Sequence, residues 1–468
     1  MRHDTPPTPT RPLSDALAPS IALGFATAAA MWTLGFYLRI PGLPTPAPLI
    51  AGLLILTLLA GGAVAGRCAP AGQTLRYGLG TGLVSGLINL LVLFSLVADA
   101  DNPNALHAAW PIVLSGWLVF SAAAGAAGAT IGARTKRRDD PLAPRPDWHA
   151  RFAIIAAATV LPLVTIGGLV TSKQAGLAVP DWPNSYGSNM FLFPLSRMTG
   201  GIYYEHAHRL FGSLVGLTTM ALMIWTLLVE RRAWFKWLVV GAFLLVVVQG
   251  IMGGLRVTGR PTLAQEDLEP STLLAFVHGV TGQLYFALMC VIAAMASRRW
   301  KSDEPRRAGA IPGSPRLVTT LLLLALVVQL SMGALARHYT DSAGYMHALM
   351  THLTNSVLVF ILAIGVGVRA PTALPGERTL RILGKGVMHT AILQMILGVF
   401  TLWVVLAHRG AEDPPLLRVL IATSHQTLGA ALLALAALAW AWSFRLVAPA
   451  RPGVQAGEER TRPMPGAV

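Results

Sequence analysis

The sequence predicts an all-α polytopic membrane protein of about twelve transmembrane helices, the last eight arranged as two pseudo-repeated four-helix bundles. Three observations carry this. The 468 residues are 54% hydrophobic and only 12% charged, and the apolar residues fall in blocks of about 19 to 26, the length that crosses ~30 Å of hydrocarbon. Such blocks are far longer than barrel strands, and unpaired backbone groups are costly in lipid, so every span is expected to be helical. The later blocks also repeat their own punctuation, which marks a duplicated unit.

Four spans come first, over 17–38, 48–66, 78–98 and 109–132, rich in Ala, Gly and Leu. They make an N-terminal unit, 1–133, whose role the sequence does not disclose. A Pro- and charge-rich stretch, 134–150, reads as a cytoplasmic linker. Eight further spans, 152–170, 204–228, 238–257, 271–296, 317–337, 346–368, 386–407 and 418–443, form a second unit over 151–445 with halves 151–297 and 315–445. Residues 446–468 read as a disordered cytoplasmic tail.

A formal charge of +15 would suit nucleic acid, but the basic residues cluster between alternate spans, as the positive-inside rule demands. Basic runs lie at Arg134 to Arg138, Arg231 to Lys236, Arg298 to Arg307 and Arg378 to Lys385, whereas acids collect at Asp99/Asp101, Glu266/Asp267/Glu269 and Glu412/Asp413. No nucleic-acid partner is expected, and both termini are expected in the cytoplasm. The first span follows a polar leader without a convincing small-residue cleavage site, so no cleavable signal peptide is expected. Cys68 and Cys290, the two cysteines, fall in an inner loop and inside a span, which excludes a disulfide between them.

Within the eight-span unit the odd-numbered spans end alike. Gln249 and Gly253, Gln329 and Gly333, and Gln394 and Gly398 form Gln-x3-Gly patterns, and Gly167-Gly168 closes the first span. The even-numbered spans carry His208, His278, His352 and His425, separated by 70, 74 and 73 residues, each followed four residues later by Gly or Ser. An ionisable residue inside a membrane is expensive, so four placed alike point to ligands. Counted from the expected outer ends, the four imidazoles lie at a common depth of roughly 6 to 10 Å.

Two neutral imidazoles facing each other across a bundle make the axial set of a six-coordinate haem iron, whereas zinc usually takes more ligands or a nearby carboxylate. Imidazole alone suits several metals, so copper and zinc stay open at this level. A small residue at i+4 clears side-chain bulk where a flat macrocycle would lie. Glu205 is the one acidic residue at the edge of a candidate site inside a span. At i and i+3 it shares a helix face with His208, while His206 points elsewhere. Arg256 and Arg337 hold matching positions at the ends of repeated spans and, with Arg209, are candidates to hold propionates. His107, His338, His347 and His408 read as loop or interfacial residues, with His347 in reserve for His352.

One further set of residues narrows the chemistry. The stretch Gly167-Gly168-Leu169-Val170-Thr171-Ser172, then Ala175-Gly176-Leu177-Ala178-Val179-Pro180-Asp181-Trp182-Pro183, then Glu205-x-x-His208-Arg209, resembles the haem A synthase family (CtaA/Cox15). The likeness runs over about residues 150–445, with eight spans and four histidines in the family's order. It implies oxidation of a ring methyl of haem O to a formyl group, making haem A for aa3-type terminal oxidases. It further implies His208 and His278 as ligands of the substrate haem, and Glu205 as the catalytic carboxylate, assisting proton transfer or stabilising positive charge at the methyl carbon. His352 and His425 would ligate a resident haem b that passes electrons.

The family setting implies a cell (inner) membrane location in contact with lipid, with haem O synthase and oxidase assembly factors as partners. Many bacterial members carry a cysteine pair in the first outer loop, but here Asn184-Ser185-Tyr186-Gly187 follows the motif without one. The competing expectation is a non-catalytic di-haem b electron-transfer or haem-delivery protein, in which Glu205 is dispensable. A transporter would need a polar midplane, and the spans have little charge there.

Overall fold

The computed structural model describes residues 17–448 except 100, 101, 103, 136–145, 260–269, 303–314, 341, 374–375, 410 and 412. Its secondary structure is almost wholly helical, and twelve helices are long and apolar enough to cross a membrane. They are α1 (Leu17–Leu38), α2 (Ala47–Cys68), α3 (Thr74–Val97), α4 (Trp110–Arg134), α5 (Trp148–Ser172), α6 (Gly200–Val229), α7 (Ala233–Thr258), α8 (Thr272–Ala296), α10 (Pro315–His338), α11 (Tyr345–Ala373), α12 (Arg378–Ala407) and α13 (Leu416–Leu446); α9 (Arg298–Lys301) is a single turn. The expected linker and tail lie outside the described residues over 136–145 and 449–468, as do Asp101, Glu266, Asp267, Glu269 and Glu412. Cys68 and Cys290 are both free.

Every span expected from hydropathy is present, and several run further than their apolar core. Helical hydrogen bonding continues past the last apolar residue wherever a cap is available. Thus α5 starts at Trp148, where the Asp147 carboxylate accepts from Ala150 N, and α12 includes the basic turn from Arg378, capped by Glu377.

The small residues of the N-terminal unit have a packing explanation. A Cβ at Gly66 would lie 2.0 Å from Ala129 O, one at Gly132 1.9 Å from Ala63 O, and one at Gly82 2.0 Å from Ser121 O. Glycine therefore lets α2, α3 and α4 touch backbone to backbone, the contact that drives helix association where lipid removes the hydrophobic incentive. The unit also packs on the eight-span core. Phe25 meets Phe152 edge-on at 5.2 Å, Trp32 meets Phe211 at 5.7 Å, and Phe36 stacks on Tyr203 at 5.3 Å, whose hydroxyl donates to Phe36 O. Three of these contacts thus fall on α6, the helix that carries Glu205 and His208.

In the core, α5, α6, α7 and α8 pack as one neighbourhood and α10, α11, α12 and α13 as another, with α5 and α8 against α13 at the seam. Gly168 makes that seam close, since a Cβ there would sit 3.1 Å from Thr423 and 3.2 Å from Gln426 of α13. Arg337 of α10 ties the seam together. It donates to Gln426 Oε1 at 2.8 Å, Ser172 Oγ at 2.6 Å and Gly168 O at 3.2 Å.

The connection between α5 and α6 contains the one sheet among the described residues, a hairpin of Asn184–Ser185 and Ser188–Asn189. Its central residues Tyr186 and Gly187 have φ of 51° and 75°, the positive values that a two-residue primed turn requires. Sequence reasoning saw no cysteine at Asn184-Ser185-Tyr186-Gly187 and missed the turn. The signal was Asp181, whose carboxylate accepts from Tyr186 N at 2.6 Å and Gly187 N at 2.8 Å. Asn104 of the N-terminal unit also holds the hairpin, donating to Gly187 O and accepting from Asn189 N.

Candidate functional site

The four histidines gather at the same end of the bundle as the hairpin loop, here the histidine face. His208, His278, His352 and His425 stand eight, six, seven and nine residues past the first residues of α6, α8, α11 and α13. At ~1.5 Å per residue the common depth is about 9 to 14 Å, greater than hydropathy suggested. The largest change is at His208, because α6 begins at Gly200 rather than 204.

They form two pairs. The ring centroids of His208 and His278 are 6.2 Å apart with planes at 85°, and those of His352 and His425 are 6.4 Å apart at 74°. An imidazole nitrogen lies about 1.1 Å from its ring centroid and bonds a first-row metal at about 2.0 Å, so two axial imidazoles on one ion put their centroids about 6.2 Å apart. Both pairs have that spacing. Among the described residues no group of three His, Cys, Asp or Glu side chains is arranged around a metal position. The donor set is therefore two imidazoles, which fits a six-coordinate haem iron and not a tetrahedral zinc.

Each ring is backed by a glycine of the preceding helix. A Cβ at Gly167, Gly253, Gly333 or Gly398 would stand 3.0, 3.2, 2.8 or 3.1 Å from Cε1 of His208, His278, His352 or His425, respectively. The Gln-x3-Gly glycines, read from the sequence only as repeat markers, are thus the surfaces against which three of the imidazoles rest. In one of the four, His352, the carbonyl four residues earlier orients the ring. Gln329 O lies 2.9 Å from His352 Nδ1, which fixes the proton there and leaves Nε2 as the nitrogen with a free lone pair. Leu163 and Gln249 present carbonyls in the same register to His208 and His278, but short of full hydrogen-bond geometry, so both Nδ1 atoms are buried and orphaned. The i+4 positions behave differently from one another. Gly212 faces open space, a Cβ at Gly282 would be 3.8 Å from Gln249 Oε1, and one at Gly429 3.2 Å from Gln394 Nε2.

Glu205 is buried at 4% exposure. Its Oε2 accepts from Val179 N and its Oε1 from Arg209, both at 2.9 Å. Arg209 then donates to the carbonyls of Val179, Asp181 and Asn184. Its Nη1 and Nη2 are thereby occupied by the loop rather than left for a propionate. Arg256 donates to Gly176 O at 2.6 Å, and a Cβ at Gly176 would be 1.9 Å from its Nη2. Trp182 lies on Gly254, whose Cβ would be 2.1 Å from the indole. The Ala175 to Pro183 motif is therefore a lid, attached to α6 through Glu205 and Arg209 and to α7 through Arg256 and Gly254. Burial, then the Glu205 and Asp181 carboxylates, push the Tyr186 hydroxyl above its ordinary range, so it remains a donor, to Ala178 O.

A cavity of about 210 Å³ opens beside the lid, lined by Thr171, Gln174, Gly176, Arg256, Ser271 and His338 among others. His107 and His347 are exposed. His206 is fully buried on the other side of α6, within 3.1 Å of Ser185 Oγ and against Phe193. Arg209→Lys should loosen the lid, because one ammonium cannot span four acceptors held by a planar fork. Hydrogen exchange at Val179, Tyr186 and Gly187 is expected to speed up by at least about 10-fold, a loss of one or two net hydrogen bonds; unchanged protection would refute this account of the lid.

The fold and site define a polytopic helical membrane protein with two pairs of facing imidazoles, the first in the half that carries the carboxylate-anchored loop. The family model described as cytochrome oxidase assembly protein, COX15-CtaA, matches residues 150–347. Over that stretch, less than half of its length, the chain is similar to this family. A protein named "Heme A synthase" from Exiguobacterium sibiricum is 26% identical over 189 residues, covering 40% of this chain and 58% of its own length. Another of that name, from Beijerinckia indica, is 24% identical over 208 residues, 38% of this chain and 55% of its own. A third, from Rhizorhabdus wittichii, is 23% identical over 357 residues, 64% of this chain and 94% of its own. The chain thus spans little more than half the length of the first two. No solved structure matches it. The family match ends before His352 and His425, so the second pair stands on its geometry and on the internal repeat.

Proposed function

We propose that this protein is a haem A synthase of the cell (inner) membrane, both termini cytoplasmic, with residues 151–445 as the catalytic unit. Its substrate is haem O, whose ring methyl becomes a formyl group. His208 and His278 are the ligands of the substrate haem, and His352 and His425 those of a resident haem b. The observation that carries the reading is the asymmetry between the two pairs: only the half that holds His208 and His278 adds a buried carboxylate, Glu205, one turn before its histidine and bonded to the α5–α6 loop.

When bound, haem b would supply a one-electron carrier beside the substrate site. The chain's own residues do the rest. Glu205, fixed between Val179 N–H and Arg209, presents negative charge where positive charge develops at the methyl carbon, an electrostatic role that a pre-held group performs without reorganisation. Arg256 is the cation best placed to meet a propionate, since Arg209 is committed to the lid and Arg337 to the seam. The lid keeps bulk water from the reacting edge.

Co-expression of the full chain with haem O synthase, followed by extraction and chromatography of the haems, tests this. Haem A is expected to appear, and to vanish with His208→Ala. Unchanged haem O in a protein with a bis-histidine b-type spectrum would instead establish the di-haem electron-transfer reading.

A further inference from the structure

Gln249 is buried at 6% exposure on α7, and its side-chain oxygen has no hydrogen-bond partner among the described residues. The orientation of this amide is fixed. Its Nε2 donates to Thr281 Oγ1, and the Thr281 hydroxyl is itself spent as a donor to Val277 O at 2.6 Å. Turning the amide over would therefore set oxygen against oxygen. Gln249 Oε1 remains a committed acceptor without a donor, in a region where such a group is seldom left unmatched.

The repeat supplies controls. Gln329, at the same position in α10, has its oxygen satisfied by Asn355 Nδ2 at 2.8 Å while its nitrogen donates to His352 O. Gln394, at the same position in α12, donates from Nε2 to His425 O at 3.1 Å, and its oxygen, like that of Gln249, has no partner among the described residues. The copies in α7 and α12 thus keep an acceptor open and the copy in α10 does not; what sets Gln249 apart is the half it stands in, beside the first pair.

Its placement says what the acceptor meets. Gln249, Gly253 and Arg256 fall on one face of α7 at i, i+4 and i+7. Gly253 rests on the His278 ligand and Arg256 lies at the histidine-face end. The rise from Gln249 to Arg256 is about 10.5 Å, comparable to the width of a macrocycle. With the acid edge of the ring at Arg256, Gln249 stands at the opposite edge, and Gln249 Oε1 is 3.8 Å from the Cβ position of Gly282, one turn beyond His278. Haem O differs from haem B at one substituent, an alkyl chain bearing a hydroxyl. We propose that Gln249 accepts a hydrogen bond from that hydroxyl and so selects the hydroxyalkylated haem at the first site. This rests on the haem A synthase reading and adds a specificity-determining residue to it.

Discrimination should be substantial, because a hydrogen-bonding site rejects a ligand that leaves its buried acceptor unpaired. The test titrates the full chain carrying His425→Ala, which silences the second pair, with haem O and with haem B, reading the bis-histidine absorption. The alkyl chain contributes to both proteins equally, so the quantity read is how the ratio of the two dissociation constants changes on Gln249→Leu. The haem B to haem O ratio of dissociation constants is expected to fall by about 10- to 100-fold, with haem B affinity retained. Should Gln249→Leu not fold, Thr281→Val, which removes only the contact aiming the amide, is expected to lower the ratio in the same direction. A bis-histidine spectrum with an unchanged ratio overturns the role of Gln249 alone. Absence of that spectrum with either haem in the parent overturns the site reading and this proposal together.

Discussion

Glu205→Gln is expected to lower conversion of haem O to haem A by about 10²- to 10³-fold, the usual consequence of removing one pre-placed electrostatic group from a reacting centre. The substitution is chosen to leave the lid in place. Glutamine keeps an oxygen to accept from Val179 N, and Arg209 keeps its bonds to the carbonyls of Val179, Asp181 and Asn184. What goes is the negative charge. Chromatography of haems from membranes of equal protein content measures the loss, and absorption spectra with both bis-histidine centres intact show that ligation survived. Conversion within about tenfold of wild type would remove Glu205 from the chemistry.

Gly333→Ala is expected to cost the second centre about 10- to 100-fold in haem affinity, the scale seen when the groups that orient a metal ligand are disturbed. The new Cβ would stand 2.8 Å from His352 Cε1 and 2.9 Å from Nδ1, closer than real contacts permit. The ring cannot yield without breaking its 2.9 Å bond to Gln329 O. Reversible haem b titration of the purified protein reads the change. Gly212→Ala provides the contrast, because its Cβ meets no atom within 4 Å. It should leave folding unaltered and weaken only the first centre, where the macrocycle would need that space. Equal effects of both substitutions on both centres would refute the division of labour between the two sets of glycines.

All twelve spans were legible in the sequence because a bilayer imposes a length and a composition on each of them. The pairing of the four histidines was legible too, because equal spacing in a repeated hairpin places them at one depth. The glycines that back the rings were visible but misplaced in meaning. The helix that bears a histidine announces itself by i+4 periodicity, whereas contact with a glycine of the preceding helix is a tertiary fact. The depth of His208 was underestimated because Gly200 to Tyr203 begin a helix without looking like lipid-facing sequence. Arg209 beside Glu205 was an ordinary i,i+4 pair on paper; its three bonds to loop carbonyls needed the fold of a connection too irregular to derive.

The residue after each ring-backing glycine is Gly168, Gly254, Ala334 or Val399, and three of the four match their surroundings. Gly168 admits α13, Gly254 admits Trp182, and Val399 is 65% exposed on the perimeter. The ring-backing glycine thus recurs in all four copies, while the position beside it is glycine in the first half, where a neighbour presses on it, and not in the second. The halves are therefore not exchangeable cassettes. A chimera carrying two second halves would keep four well-seated imidazoles, yet place an Ala or Val where the joint between bundles demands no side chain. Duplication supplied the ligands, and the joint between the copies is what made their order irreversible.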